Sequence, residues 1–252
     1  SALSSREASN QQAIDKQIDL ATKQITEAKA TNDILKAQIA QMAAAVKAGV
    51  PRFIFSSTAA VYGNPVTQPV FEDAAPAPIS PYGSSKLMTE WMLKDAHAAH
   101  GLQYVALRYF NVAGADPQAR MGQRTPEATH LIKVACQAAL GIRESVGIYG
   151  TDYPTPDGTG IRDYIHIEDL ASAHLKALEY LEKGGIPTAM NVGYGRGSSV
   201  REVLEVVREV SGVNFRTVEA ARRPGDPASL IAQADRIGRL TGWLPEHDDL
   251  RR

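Results

Sequence analysis

Tyr82 and Lys86, four residues apart, give the clearest indication of catalytic chemistry in the sequence. Residues at this spacing on a helix project from the same face, so both can reach one ligand. We expect a lysine ammonium beside a phenol to favour the phenolate, which would lower the pKa of Tyr82 from about 10 toward neutrality. Such a tyrosine can take or give a proton at an alcohol carbon, which is oxidoreductase chemistry. The alternative is an exposed helical pair without function.

A strand, a loop and a helix must position this pair. Residues 52–57 form a short apolar run that ends in hydroxyl side chains, and a loop rich in Gly, Pro, Asn and Asp follows over residues 62–81. A helix is predicted from about residue 82 to residue 100. Ligands of open α/β sheets bind at the carboxyl ends of strands. We therefore expect the hydroxyl groups at residues 56–58 to meet Tyr82 there.

Further strands and helices alternate along the rest of the chain. The pattern predicts strands at residues 104–109, 146–149, 189–192 and 215–218, and helices at residues 128–140, 167–183 and 200–211. This alternation indicates the α/β class, with a partial Rossmann-like parallel sheet and a smaller α/β substrate domain. The predicted division is a helix over residues 1–48, a catalytic part over 49–125 and a mainly substrate-binding part over 126–252, some segments of which return to the Rossmann-like domain.

The first 48 residues contain neither Gly nor Pro and carry a heptad repeat. Ile18, Ile25, Asn32, Ile39 and Val46 occupy one seam position, and the other seam position holds Ile14, Ala21, Ala28, Leu35 and Met42. We expect one continuous helix over residues 8–47 whose buried stripe is this seam. Two interpretations stay open: a self-associating coiled coil, in which Asn32 sets the register, or one amphipathic helix lying on the globular part.

Five segments in a fixed order together resemble the extended short-chain dehydrogenase/reductase family, and within it the UDP-glucose 4-epimerases. They are FIFSSTAAVYG (53–63), PYGSSK (81–86), RYFNVAGADP (108–117), GTGIRDYIHIEDLA (158–171) and RRPGDPA (222–228). The resemblance extends from about residue 42 to residue 245 and implies an NAD-dependent isomerase of galactose metabolism that interconverts UDP-glucose and UDP-galactose. A 4,6-dehydratase is a related alternative, but that subfamily places acidic residues directly after the catalytic Thr, whereas Ala59 and Ala60 stand there.

The resemblance also implies roles for individual residues. Tyr82 is the expected acid/base at the sugar 4-hydroxyl, Lys86 its partner and Thr58 the hydroxyl that bonds the same oxygen. The expected NAD contacts are Tyr82, Lys86, Ser56, Tyr109 and Phe110. The expected contacts of the UDP-sugar are Asn111, His130, Leu131, Tyr149, Arg162, Arg223 and Asp226, with the two arginines on the diphosphate. His130 stands where the family usually has an asparagine.

The glycine-rich turn that holds the NAD pyrophosphate against a helix N-terminus is not found in the sequence, because the Gly-free helix precedes residue 49. The strand at residues 52–56 should therefore have an unpaired edge, which another chain or the N-terminal helix would cover. We expect a homo-oligomer or a partner at that edge. The alternative function is a catalytically silent coiled-coil interaction protein that retains an epimerase remnant.

Composition excludes several other classes of function. The chain has 27 Lys plus Arg against 28 Asp plus Glu, so it lacks the basic field of a nucleic-acid-binding protein. No stretch approaches the roughly 20 apolar residues of a membrane span. The single cysteine, Cys136, cannot form an internal disulfide, which favours a reducing compartment, the cytoplasm. No Cys or His pair has structural zinc spacing, so no metal site is expected.

Overall fold

The computed structural model describes residues 2–125, 129–223 and 225–251, and within the first helix it describes the side chains of residues 11, 12, 14–19, 22, 26 and 29 onward. The helices are α1 (Ala2–Lys47), α2 (Pro81–His100), α3 (Leu131–Ala139), α4 (Ile167–Glu182), α5 (Val200–Ser211) and α6 (Asp235–Thr241), with a turn of 3-10 helix at Ala59–Tyr62. The strands are β1 (Arg52–Ser56), β2 (Gln103–Tyr109), β3 (Asn111–Ala113), β4 (Ser145–Tyr149), β5 (Ile161–Arg162), β6 (Tyr164–His166), β7 (Thr188–Val192), β8 (Ser198–Ser199), β9 (Arg216–Ala220) and β10 (Ser229–Leu230). The predicted α/β class with a long N-terminal helix is confirmed.

A three-stranded parallel sheet with the order β1-β2-β7 forms the centre of the catalytic part. Arg52 pairs with Gln103 and Val105 pairs with Thr188. The strand predicted at residues 215–218 is β9, which lies parallel to β4. Strands β3 and β6 form a second parallel pair, and β10, β5 and β8 form a small mixed sheet. The short strands of these two groups were not predicted, since two or three residues carry no visible period.

Both faces of the central sheet are covered. Val105 and Leu107 of β2 pack with α4, whereas Ala106 between them packs on the opposite side with Leu93 of α2 and Met42 of α1. Successive strand residues point to opposite faces, so this burial of neighbours is what a two-sided parallel sheet requires. The sheet is thus a packed layer whose strands can present side chains at their carboxyl ends.

Helix α1 is continuous, as predicted, but only the C-terminal part of its seam is buried. Ile14, Ile18 and Ile39 are 48%, 58% and 50% exposed. The seam residues Leu35 and Met42, in contrast, are partly buried and buried, respectively. Every described side chain of α1 before Thr31 is exposed. Ile25, Ala21 and Ala28 of the seam lie outside the described side chains.

The expected open edge is present at β1. Among the described residues β1 pairs with β2 alone, while its faces are covered by Met42 and Leu93 on one side and by α4 on the other. The cover from α1 is therefore on the face of the strand and leaves its backbone edge unpaired. In the part of the chain that the structure describes, no helix is both long and apolar enough to cross a bilayer.

Candidate active site

A close approach of two backbones brings Tyr82 to Thr58. Ser80 caps α2 by accepting a hydrogen bond from Gly83 N (3.1 Å), and Pro81 occupies the first turn, where its missing N–H costs nothing. A Cβ atom on Gly83 would lie 2.6 Å from Ala60 O, so only glycine lets α2 start against the 3-10 turn that Thr58 caps. The Tyr82 side chain is half exposed, and Thr58 is buried.

The electrostatics of Tyr82 differ from the expectation. Burial raises the pKa of Tyr82 above its usual value of 10.0, and a hydrogen bond with the Thr58 side chain acts in the opposite direction without cancelling it. The Lys86 ammonium lies 5.8 Å from the centre of the Tyr82 ring and does not lower the pKa of the phenol here. The predicted shift toward neutrality is therefore wrong for this structure.

Lys86 is directed at the end of β1 instead. Its Nζ atom donates a hydrogen bond to Ser56 O (3.0 Å) and lies 5.0 Å from the centre of the Phe55 ring. Burial lowers the pKa of Lys86. The Ser56 hydroxyl lies 3.2 Å from His174 Nε2, a contact that the sequence did not suggest because α4 is distant in the chain. Ser56, Thr58, Tyr82 and Lys86 are thus gathered at the carboxyl end of β1, as predicted.

A buried ion pair fixes the two elements behind this group. Arg108 Nη2 of β2 lies 2.6 Å from Glu90 Oε2 of α2, and the Ser57 hydroxyl donates to Glu90 Oε1 at 2.5 Å. Arg108 Nη1 donates further to the Tyr62 hydroxyl (3.0 Å), which reaches Asn191 of β7 (2.7 Å). Each charged atom has a partner, which is the condition under which buried charges are tolerated. The network ties three strand ends to α2.

The two aromatic residues expected beside NAD, Tyr109 and Phe110, differ in solvent exposure. Tyr109 is partly buried, with its ring centre 6.4 Å from that of His174. Phe110 is 7% exposed and packs in a hydrophobic cluster with Val61 and Leu87. Phe110 is thus enclosed in this structure, and its contact with NAD stays a prediction.

Four of the expected substrate contacts form one connected group. Arg162 pairs with Asp226, whose backbone N–H donates to Arg223 O (3.2 Å), and the Arg223 guanidinium lies 3.8 Å from the centre of the Tyr149 ring. Arg223 forms no ion pair with any residue in the described ranges. The guanidinium of the neighbouring Arg222 lies 4.2 Å from the centre of the Tyr153 ring in the same way. The sequence did not suggest Arg222 or Tyr153, although Arg222 directly precedes Arg223.

The other three expected substrate contacts, Asn111, His130 and Leu131, line a separate cleft of about 1280 Å³. His130 caps α3 without a side-chain hydrogen bond to the helix, and its Nδ1 atom lies 2.7 Å from Gln123 Nε2. Asn111 N donates to Asp163 O (3.0 Å), the residue after Arg162. The structure therefore does not bring all seven residues into one pocket, but Asn111 lies beside the arginine group.

The arginine group also lies next to the start of α2. A Cβ atom on Gly225, which precedes Asp226, would be 3.7 Å from the Ile79 side chain, three residues before Tyr82. The segment that leads into Tyr82 and the loop that carries Arg223 and Asp226 thus touch at Ile79 and Gly225. Guanidinium groups bind phosphate oxygens through paired hydrogen bonds. The arrangement can hold a phosphorylated ligand and exchange a proton with one of its hydroxyl groups.

Sequence comparison finds close relatives over most of this chain. UDP-glucose 4-epimerase of Azospirillum brasilense is 62% identical over 209 residues, which are 83% of this chain and 60% of the relative. UDP-glucose 4-epimerase of Halalkalibacterium halodurans is 50% identical over 201 residues, 80% of this chain and 60% of that relative. The chain thus spans about 60% of the length of these relatives.

Solved structures match the fold. Crystal structures of UDP-glucose 4-epimerase from Brucella ovis, in complex with NAD, and from Bifidobacterium longum, in complex with NAD+ and UDP, superpose with TM-scores of 0.84 and 0.82. The Brucella ovis enzyme is 42% identical, and the match covers 87% of this chain and 67% of that one. The Bifidobacterium longum enzyme is 36% identical, and the match covers 88% of this chain and 66% of that one. The sequence profile of the NAD dependent epimerase/dehydratase family matches residues 5–193, three quarters of the chain. With this match and these relatives, the chain belongs to the NAD dependent epimerase/dehydratase family.

Proposed function

We propose that the chain is the catalytic and nucleotide-sugar-binding part of a UDP-glucose 4-epimerase, an NAD-dependent isomerase that interconverts UDP-glucose and UDP-galactose. The observation that carries the proposal is that Tyr82 lies near Thr58 and Lys86 at the start of α2, and that the segment before it touches, at Ile79, the loop of Arg223 and Asp226. A proton-transferring phenol next to diphosphate-binding cations is the pairing that a reaction on the sugar of a UDP-sugar requires.

The donor set at the end of β1 fits the nicotinamide half of NAD. Lys86 supplies an ammonium with three donors, and Ser56, Tyr82 and Tyr109 supply hydroxyl groups for ribose or carboxamide atoms. When bound, NAD would supply the reversible oxidation of the C4 alcohol. The pyrophosphate half has no counterpart in the sequence, because the 48 residues before Gly49 contain no glycine.

The proposed roles of the chain's own residues follow from these positions. Tyr82 exchanges a proton with the oxygen on C4, Thr58 orients that oxygen, and Lys86 stabilises the phenolate once the ligand has displaced water around it. Arg162 and Arg223 hold the diphosphate, Asp226 accepts from a ribose hydroxyl, and Asn111, Tyr149, His130 and Leu131 complete the substrate contacts.

The proposal extends to organisation and location. We assign residues 1–48 to a helical segment, 49–125 to the remaining catalytic domain and 126–252 mainly to substrate binding. We place the protein in the cytoplasm, because reducing conditions suit a chain with one unpaired cysteine. We further propose that it forms a homo-oligomer or binds a partner that covers the edge of β1. No nucleic acid or membrane takes part.

Calorimetric titration of the chain with UDP tests the proposal. We expect one UDP molecule to bind, and Arg223→Ala to weaken its affinity at least about tenfold through loss of charged hydrogen bonds. Arg216→Ala is the matched control, because Arg216 is exposed and pairs with Glu144 (2.9 Å). Absence of UDP binding, or equal losses from both variants, would overturn the assignment.

A further inference from the structure

Three ligand-type side chains meet where the C-terminal segment crosses the start of α4. The atoms offered by His166, Glu168 and His247 all lie within 4.8 Å of one another. His247 Nε2 is 3.0 Å from Glu168 Oε2, and His166 Nδ1 is 4.0 Å from the same oxygen. All three residues line the large cleft, so a small ion can reach them from solvent.

A buried carboxylate orients one of the two imidazoles. Asp169 is 2% exposed, and its Oδ1 atom lies 3.2 Å from His247 Nδ1. Asp169 also accepts hydrogen bonds from the backbone N–H groups of Glu246 and His247, each at 2.9 Å. A carboxylate that holds one ring nitrogen directs the other nitrogen, here Nε2, toward Glu168, and such orientation by a carboxylate is the usual arrangement behind metal-binding histidines.

The carboxylates around the two histidines also favour a bound cation. Glu168 and Asp169 are neighbouring carboxylates, and among the described residues neither forms an ion pair with Lys or Arg; their close partners are His166 and His247. Arg120 interacts electrostatically with Glu168 but forms no ion pair with it. A divalent ion on the two rings and Glu168 would bring a positive charge into direct contact with that carboxylate.

We propose that His166, Glu168 and His247 form a binding site for one divalent transition-metal ion of the Zn²⁺ type, with Asp169 supporting His247. Imidazole nitrogen and carboxylate oxygen are common zinc ligands, and three of them leave a fourth position for water from the cleft. The site would fasten the C-terminal segment to α4.

Binding requires a small rearrangement. Tetrahedral zinc ligands lie roughly 3.4 Å apart, so His166 must approach Glu168 and give up the hydrogen bond that its Nδ1 atom accepts from Glu168 N (3.2 Å). The two rings now stack with their centres 4.6 Å apart and their planes 16° apart, so they must also turn for both lone pairs to converge. Side-chain rotation at the mouth of an open cleft allows both movements.

Titration of the chain with ZnCl₂ tests the site, in a Cys136→Ser background because Cys136 lines the same cleft. We expect one Zn²⁺ per chain, and at least tenfold weaker binding in His247→Ala and in Glu168→Gln. His100→Ala should bind Zn²⁺ unchanged, since His100 is an exposed residue at the end of α2. Absence of binding, or unchanged affinity in the two site variants, would overturn the proposal.

A measurement on the unmodified chain covers the case in which a variant fails to fold. Zn²⁺ should protect His166 and His247, but not His100, from modification by diethyl pyrocarbonate, as mapped by mass spectrometry. Equal modification of all three histidines with and without Zn²⁺ would overturn the site.

Discussion

Lys86 Nζ donates a hydrogen bond of 3.0 Å to the carbonyl oxygen of Ser56. Lys86 belongs to the first turns of α2 and Ser56 ends β1, so this bond joins the two elements that carry the catalytic candidates. An ammonium has three N–H donors. Ser56 occupies one of them, and the other two are available to a ligand and to the phenol of Tyr82.

The first prediction concerns the proton of Tyr82. Because burial raises its pKa and the bond to Thr58 lowers it, Tyr82 should titrate above 10 and Thr58→Val should raise the pKa further. NMR titration with ¹³C-labelled tyrosine measures both. Thr67→Val, the same change at an exposed loop position, should leave the titration of Tyr82 unaltered. A pKa below 10 in the unmodified, ligand-free chain would contradict the structure.

Loss of the phenol should affect turnover more than loss of its neighbours. With NAD at millimolar concentration, any epimerase turnover of the chain should fall at least about a hundredfold in Tyr82→Phe, the scale of positioned acid/base catalysis. Thr58→Val and Lys86→Met should lose less, since neither side chain moves the proton at C4. A coupled assay of UDP-glucose formation gives the rates, and a Tyr82→Phe rate equal to that of the unmodified chain would refute the role of Tyr82.

The buried Glu90–Arg108 pair gives a prediction on stability. Glu90→Gln leaves the Arg108 charge buried without its carboxylate, which should lower the free energy of unfolding by about 3–5 kcal/mol. The control is Glu205→Gln, which breaks the more exposed pair with Arg208 and should change stability by about 1 kcal/mol or less. Urea denaturation followed by circular dichroism measures both, and similar losses would show that the buried pair is not structural.

Sequence reasoning predicted the elements of the site better than its electrostatics. Hydroxyl residues at the end of an apolar strand and a Tyr-x-x-x-Lys helix start were enough to bring Ser56, Thr58, Tyr82 and Lys86 together, because parallel strands present their carboxyl ends on one side. The sign of the Tyr82 shift could not be predicted, since it depends on burial and on the carbonyl that attracts Lys86.

The remaining differences have a similar cause. Phe110 directly follows a strand, a position at which an aromatic side chain can be exposed. Only its packing with Val61 and Leu87 shows that it is enclosed. The heptad in α1 gave the helix correctly, but a repeat does not specify how much of the seam is covered: Met42 is buried, whereas Ile18 is exposed. Tertiary contacts between distant segments decide both matters.

The two ends of the α1 seam lead to contrasting effects on stability. Met42 is 6% exposed and packs against Phe55 and Leu93, so Met42→Ala should cost about 2 kcal/mol or more. Ile18 is 58% exposed, and Ile18→Ala should change stability by less than about 0.5 kcal/mol. Thermal melts at low protein concentration, where self-association is weak, make the comparison. A large loss from Ile18→Ala would show that the N-terminal part of the seam is buried as well.

The last prediction separates the two ligands. NAD should bind the 252-residue chain far more weakly than UDP does, and no epimerase turnover should be measurable at micromolar NAD. Lys86 and Tyr82 reach the nicotinamide half alone, whereas the pyrophosphate of such cofactors rests on glycine-loop amides and a helix N-terminus. UDP depends on Arg162, Arg223 and Asp226, which the structure holds in one connected group. Parallel calorimetric titrations with NAD and UDP measure the difference. Micromolar affinity for NAD, or epimerisation by the chain at that concentration, would show that residues outside the candidate site, α1 among them, hold the cofactor.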